Sequence, residues 1–311
     1  MTTTFDRVEV LPLALDSRAA LTKRISAVAT ASPWLCPFLL LIAGCVPSPP
    51  HGGSVSAVPT AAASAKPTDD VTVGDALVQF SLISSLAAGD YSNGAPLQRL
   101  LKEGNFGVGT FDNLDGELIL LDGELLQAQS DGTVRPADPQ GSTPFAAVTF
   151  FQEDGRIEHL DAATLDELDE RLDRELPRPN LPYALRIDGE FRELTLRSVP
   201  VQKPPFQPLV EVVKHQTTWK RHNVRGTLIG LRCPAWIGTV NVSGYHWHFL
   251  ASDKSLGGHV LGCDFRDALL RYDDCHAVVI HLPQSDGFDR FRTDQVKKED
   301  INAIERERTK P

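Results

Sequence analysis

The chain has 311 residues, 31 basic against 41 acidic side chains, a formal net charge of −10 and 41% hydrophobic residues. That length fills one large domain or two modest ones, and the acidic balance excludes the basic face by which proteins hold nucleic acid. The apolar content excludes disorder of the chain as a whole. One oddity stands at the start: Met1 is the only methionine, and the residues after it do not read as a folded domain.

Residues 33–44 form an apolar run (PWLCPFLLLIAG), with Lys23 and Arg24 before it, Asp16 and Arg18 further back, and Cys45 directly after. The run is shorter than the ~20 residues a membrane-spanning helix needs. A basic flank, a short apolar core and small residues ahead of a cut are the marks of an export signal. The competing reading, a buried helix ending in cysteine, meets Pro33 and Pro37, which interrupt helix propagation. Ile42-Ala43-Gly44-Cys45 resembles the lipobox of bacterial lipoproteins, which implies a lipidated Cys45 and a membrane-anchored protein on the periplasmic side. Residues 46–70 are a Pro, Ala, Ser and Gly tract too poor in large apolar groups to offset its ordering entropy. The expected organisation is a signal peptide at 1–44, a disordered tether at 45–70, an N-terminal lobe at 71–178, and a C-terminal lobe and tail at 179–311.

From residue 71 the pattern changes. Stretches 77–88 and 96–101 read as helical turns, with Gly89 and Gly104 as stops. Between 106 and 149, short apolar runs alternate with Asp-Gly and Gly turns, the chemistry of close hairpins. Residues 161–176 place Leu165, Leu168, Leu172 and Leu176 on one helical face, and Thr164 with Glu167 fits a capping box. The acids of this helix read as a solvated face. After a proline-rich break at 177–182, strands are expected at 183–187, 192–199, 224–231, 239–250, 259–261 and 277–282, then a helix at 294–308. The plain reading is an α/β protein of α+β style with two sheet-centred lobes. Cys233, Cys263 and Cys275 fall in the folded part. An exported chain can pair two of them, with 263 to 275 the shortest closure, and no CxxC pair proposes a zinc knuckle or redox site.

The strongest local signal is Gly244-Tyr245-His246-Trp247-His248, followed by Gly257-Gly258-His259. Two histidines at i and i+2 on a strand point to one face, and a loop ending in two glycines lets the next strand return His259 to it. Three histidines suit a catalytic zinc, which takes three protein nitrogens and keeps a position open. The His-x-His pair alone is equally a polar strand face. His51 lies in the tether, His276 and His281 would face opposite sides of a strand, and His159, His215 and His222 have no close ligand partner.

Further blocks accompany these histidines: Gln79-Phe80-Ser81, Gly104-Asn105-Phe106-Gly107-Val108-Gly109-Thr110-Phe111-Asp112, Leu114-Asp115-Gly116-Glu117, Thr143-Pro144-Phe145-Ala146, Arg197-Ser198-Val199-Pro200 and Gly226-Thr227. In this order they make the chain similar to bacterial acetolactate decarboxylase from about Gln79 to the C-terminus. The resemblance implies a two-domain α/β protein with a mixed sheet in each lobe, often a homodimer, converting 2-acetolactate to acetoin and CO2. It implies Zn2+ held by His246, His248 and His259, between the C-terminal lobe and the C-terminal tail. By position Arg197 matches the family's active-site arginine, Glu117 its active-site glutamate and Thr110 a substrate-side hydroxyl. A tail carboxylate reaches back to the metal in the family, and Glu305 is matched to it, with Glu299, Asp300 and Glu307 as the other acids in reach. Ser243 and Gly262 depart from the family pattern, which commonly has a proline and an acid there.

The chemistry explains the residue types. Loss of CO2 from 2-acetolactate leaves an electron pair that enters the adjacent ketone as an enediolate, so something positive must hold that oxygen. Zinc would act as Lewis acid and template, and the planar fork of Arg197 can orient the carboxylate. The enediolate then needs a proton on one face. Glu117 is the expected donor if burial raises its pKa, with Arg197 acting through water as the other route. Read without the resemblance, Arg197 is equally a surface ion pair, Glu117 a polar strand residue and Thr110 an ordinary strand threonine. No organic cofactor is required, and no GxGxxG, P-loop or GxSxG proposes other chemistry. Two rivals are weighed. A cupin-like metalloenzyme wants a glutamate soon after the second histidine, where the nearest acid is Asp253. A lipid-anchored metal-binding protein of the same fold without activity would not need Glu117 and Arg197. Acetohydroxybutyrate, the ethyl homologue, stays open as a substrate.

Overall fold

Short apolar strands joined by tight turns build the first sheet. The structure, a computed structural model, describes residues 75–284, 286–292 and 296–305, so the expected signal peptide, Cys45 and the tether lie outside the described residues. In chain order the elements begin with β1 (Ala76–Phe80), α1 (Ile83–Ala88), β2 (Ala95–Pro96), α2 (Leu97–Leu100), β3 (Phe106–Thr110), β4 (Glu117–Leu121), β5 (Glu124–Ala128), β6 (Val134–Pro136), β7 (Ser142–Thr143) and β8 (Phe145–Thr149). Between β4 and β5 the two turn residues Asp122 and Gly123 have φ of 53° and 80°, the backbone that a two-residue type I′ hairpin demands.

The stretch 77–88, expected as helical, is a strand and then a short helix. Every residue of β1 is buried, because the strand lies inside the sheet between β8 and a late strand. A continuous apolar run of that length does not tell a buried strand from a buried helix. Ser81, with φ of 65°, marks the break. Helix α1 ends at Gly89 in the left-handed conformation, as its sequence suggests.

The chain continues with β9 (Gly155–Ala162), α3 (Leu165–Glu175), β10 (Tyr183–Ser198), α4 (Leu209–Val212), β11 (Thr217–Cys233), β12 (Gly244–Ala251), β13 (Gly257–Asp274), β14 (Ala277–His281), α5 (Asp286–Arg290) and α6 (Lys298–Glu305). The two strands expected at 183–199 are one long strand whose ladder to β13 carries register shifts after Asp188 and Phe191. Strand β13 extends far beyond the expected 259–261, and β9 was not foreseen. The α3 capping box forms: Thr164 Oγ1 accepts from the Glu167 amide at 3.1 Å, and Glu167 Oε2 accepts from the Ala163 amide at 2.9 Å. Leu168 and Leu172 are fully buried, contributing about 1.5–3 kcal/mol each. Its acids are not all solvated, since Asp169 is buried and accepts from Trp247 Nε1 at 3.3 Å.

Seven strands form the first sheet in the order β14-β1-β8-β3-β4-β5-β6, and five form the second in the order β10-β11-β12-β13-β9, with an added β10–β13 pairing that closes four of them into a ring. The parallel β1–β14 pair makes the first sheet mixed, whereas the pairings of the second are antiparallel. The expected boundary at 178–179 does not separate the sheets. Strand β9 comes from before it and pairs with β13, while β14 comes from after it and returns to β1. This exchange ties both sheets into one unit.

The core has layers. One cluster, with Leu165, Leu168 and Leu172 of α3, fills the inside of the second sheet. Another, with Val108, Ile119, Ile229 and Leu250, lies between the two sheets. A third joins α1, α4 and α6 through Ile83, Leu86, Leu209, Ile301 and Ile304. The cysteines follow this layering: all three are free and buried, with Cys263 in the first cluster and Cys233 and Cys275 in the second. The 263–275 closure is therefore not made, because the strand between them passes from one core to the other.

Candidate active site

Strand register assembles the site. On β12, His246 and His248 share a face while Trp247 points the other way into the core. His248 lies opposite His259 in the β12–β13 ladder, and His259 lies opposite Arg197 in the β13–β10 ladder. Arg197, His259 and His248 thus stand in a row across three strands. The first sheet faces them with Thr110 and Glu117, directly paired across β3 and β4. The end of α6 adds Glu305.

All seven residues are buried, and Thr110, Glu117, Arg197, His246, His259 and Glu305 line one small cavity of about 40 Å³. The ligating atoms of His246, His248 and His259 all lie within 4.8 Å of one another. His246 Nε2 and His248 Nε2 are 3.2 Å apart. Two nitrogens held at ~2.0–2.1 Å from one tetrahedral ion would be about 3.3–3.4 Å apart, so the pair is spaced as neighbouring ligands are. His248 Nδ1 lies 2.9 Å from the Leu118 carbonyl, the hydrogen bond that fixes the tautomer and turns the Nε2 lone pair toward the cluster. Glu305 Oε2 stands 3.7 Å from His246 Nε2 and 3.8 Å from His259 Nε2, and Glu117 Oε2 stands 3.6 Å from His248 Nε2.

Burial and charge keep these rings neutral. Burial, reinforced by Arg197, pushes His246 down to about 3. Burial likewise drives His248 and His259 well below the ordinary imidazole value, with neighbouring histidines and Arg197 adding to it. Neutral rings keep their lone pairs for a metal. Glu117 moves the other way: burial raises it to about 7 against the pull of Arg197, and Glu305 adds to the rise.

The remaining site residues are held by backbone. Arg197 Nη2 donates to the Ile304 carbonyl at 3.0 Å, while its buried Nε has no hydrogen-bond partner among the described residues. Thr110 Oγ1 donates to the Gly116 carbonyl at 2.8 Å, so it presents only lone pairs to the cavity. The site is wider than the expected place between C-terminal lobe and tail, since the first sheet supplies one wall. Two contributors carried no sequence signal: the Leu118 and Ile304 carbonyls act through backbone atoms that every residue has. The apolar wall of Ile83, Leu86, Leu114 and Phe145 also went unread, because it is gathered from separate elements.

The other candidates fall away from the cluster. His159 pairs with Asp267 at the surface, His276 with Asp274, and His281 with Arg99. His215, His222 and the cupin-related Asp253 are exposed. On α6, Glu299 is exposed and Asp300 lines a different cleft; Glu307 lies outside the described residues.

The profile of a family described as Alpha-acetolactate decarboxylase matches residues 77–295. The chain belongs to this family. Alpha-acetolactate decarboxylase of Methanosarcina mazei is 39% identical over 232 residues, 75% of this chain and 81% of the relative. The Klebsiella aerogenes protein of the same name is 36% identical over 225 residues, 72% of this chain and 85% of the relative. The crystal structure of alpha-acetolactate decarboxylase from Bacillus subtilis strain 168 superposes with a TM-score of 0.71 at 37% identity, covering 74% of this chain and 99% of that one. The family match contains six of the seven site residues; Glu305 lies past its end, and its place in the site rests on the distances above.

Proposed function

We propose that the chain decarboxylates 2-acetolactate to acetoin and CO2, as a carboxy-lyase with Zn2+ held by His246, His248 and His259 and with the Glu305 carboxylate in reach. The observation that carries the reading is the meeting of three neutral, buried imidazoles with a buried arginine and a buried acid in one cavity. A zinc ion held by these histidines would supply Lewis acidity to the developing negative charge.

The chain's own residues do the rest. Arg197, anchored through Nη2 on Ile304, offers its Nε–H to the substrate carboxylate and holds the scissile C–C bond in place. Thr110 accepts the substrate hydroxyl, since its own proton is committed to Gly116. When the C–C bond breaks, its electron pair moves toward the former ketone and CO2 departs. Glu117, raised to about 7, then gives its proton to carbon and recovers one from solvent. Because Glu117 approaches only from the first-sheet wall, one face is protonated and one acetoin enantiomer results. Ile83, Leu86, Leu114 and Phe145 exclude bulk water. A metal-binding protein without activity would not need to bury Arg197 and Glu117, which costs several kcal/mol when unpaired.

The test is acetoin release from racemic acetolactate by zinc-loaded protein lacking residues 1–45. Acetoin at no more than the spontaneous background rate overturns the reading. Two further parts rest on sequence and resemblance. The Ile42-Ala43-Gly44-Cys45 run supports export and anchoring through a lipidated Cys45; a Cys45→Ala protein should become soluble, and unchanged membrane partitioning refutes it. The resemblance supports a homodimer, which sedimentation velocity tests directly.

A further inference from the structure

The catalytic cavity is narrow, about 40 Å³, and its lining is buried. If the site handles a hydroxy-keto acid, as proposed above, that substrate must reach it from outside. The lining residues point to a route. Ile304 lines the catalytic cavity and also lines an outer cleft of about 420 Å³. The clefts around Arg221 and Arg225, around Arg99 and His281, and beside Cys263 share no lining residue with the catalytic cavity.

The outer cleft suits a small carboxylate in transit. Its floor is apolar, from Ala88, Val210 and Phe291, and its polar lining is Arg290, Arg292 and Asp300, so two cations stand there against one acid. The partition is a separate, short element. Helix α6 has eight residues, is not part of either sheet, and docks through Ile301 and Ile304 onto α1 and α4. Its last carbonyls meet the site itself, Ile304 O at Arg197 Nη2 and Glu305 O at 3.1 Å from His259 Nε2.

We propose that the cleft beside Ala88, Val210 and Phe291 is the vestibule by which a small hydroxy-keto carboxylate reaches the site, with Ile304 on α6 as the partition. Ile304 is then a positioning residue, setting both access and the acceptor that holds Arg197. A chelator small enough to strip the metal must use the same path.

The experiment uses the zinc-loaded protein and Ala88→Trp, which fills the cleft without touching the ligands. Its kcat/KM for acetolactate should fall about 10-fold with kcat little changed, the pattern of hindered access. Zinc removal by dipicolinate, followed with a zinc indicator, should slow to a similar degree. Ala88→Leu should act in the same direction more weakly and guards against a misfolded tryptophan variant. Ile304→Ala should speed zinc removal. Unchanged kcat/KM and unchanged zinc removal in both Ala88 variants, or unchanged removal in Ile304→Ala, overturns the proposal. If the unaltered protein released no acetoin, the reaction assignment would fail while the zinc-removal rates still decided the vestibule.

Discussion

Arg197 and His259 lie directly opposite each other across the β10–β13 ladder, and both reach the same helix end: Arg197 Nη2 at 3.0 Å from the Ile304 carbonyl, His259 Nε2 at 3.1 Å from the Glu305 carbonyl. One short C-terminal helix thus sets the position of Arg197 and of one histidine of the cluster. The negative end of its dipole faces a guanidinium, a favourable arrangement.

Arg197→Lys should separate catalysis from metal binding. A lysine keeps the charge but not the planar fork, so it cannot hold Ile304 O and the substrate carboxylate together. We expect kcat/KM to fall by about 100-fold or more with one zinc retained per chain. Loss of zinc in parallel would show that Arg197 supports the fold of the site rather than the substrate.

His248→Ala and Glu117→Gln should fail in different ways. The first removes a ligand and should abolish both zinc and acetoin. The second keeps shape and neutrality at a side chain 3.6 Å from His248 Nε2, so zinc should stay while turnover drops at least about 100-fold. Near-normal turnover in Glu117→Gln would remove Glu117 as proton donor and leave Arg197, acting through water, in that role.

Thr110→Val tests the hydroxyl as acceptor. The valine keeps the volume and β-branching of a strand residue but leaves the Gly116 carbonyl without its 2.8 Å donor. KM should rise about 10-fold, with folding and zinc content little altered. An unchanged KM would mean that Thr110 serves only the β3–β4 backbone.

Asp273 predicts a pH dependence of stability away from the site. Burial raises its carboxyl to about 7, opposed by the hydrogen bond from the Gln152 amide and assisted by Asp154. Between the ordinary value of 3.8 and about 7 the folded chain holds a proton that the unfolded chain releases, so stability falls as pH rises through that window. Asp273→Asn removes the charge and keeps an acceptor for Gln152. Its Tm should exceed that of the unaltered protein by a few degrees at pH 8 and match it near pH 4. Equal shifts at both pH values, measured by calorimetry, would contradict this.

Much of the site was legible before the fold was known. The i, i+2 spacing of His246 and His248, and a glycine-ended loop before His259, state a shared face because strand side chains alternate with a period of two. The α3 helix was equally plain, with its leucine stripe and Thr164–Glu167 box. Residues 77–88 were misread because an apolar run buried on both sides has no period to report.

Residue types and spacing in the chain alone thus offered His246, His248 and His259 as a candidate ligand set, whereas Arg197 and Glu117 were singled out only through the family resemblance. Which groups meet was decided by tertiary structure. Glu117 and Thr110 face the histidines only because the first sheet packs on the second, and Glu305 arrives only because α6 docks on α1 and α4. The neutral rings and the raised acid are products of burial, a property of the packed molecule that no residue carries by itself. The carbonyls of Leu118 and Ile304 orient His248 and Arg197 through backbone atoms common to all residues, so only the three-dimensional register could reveal them.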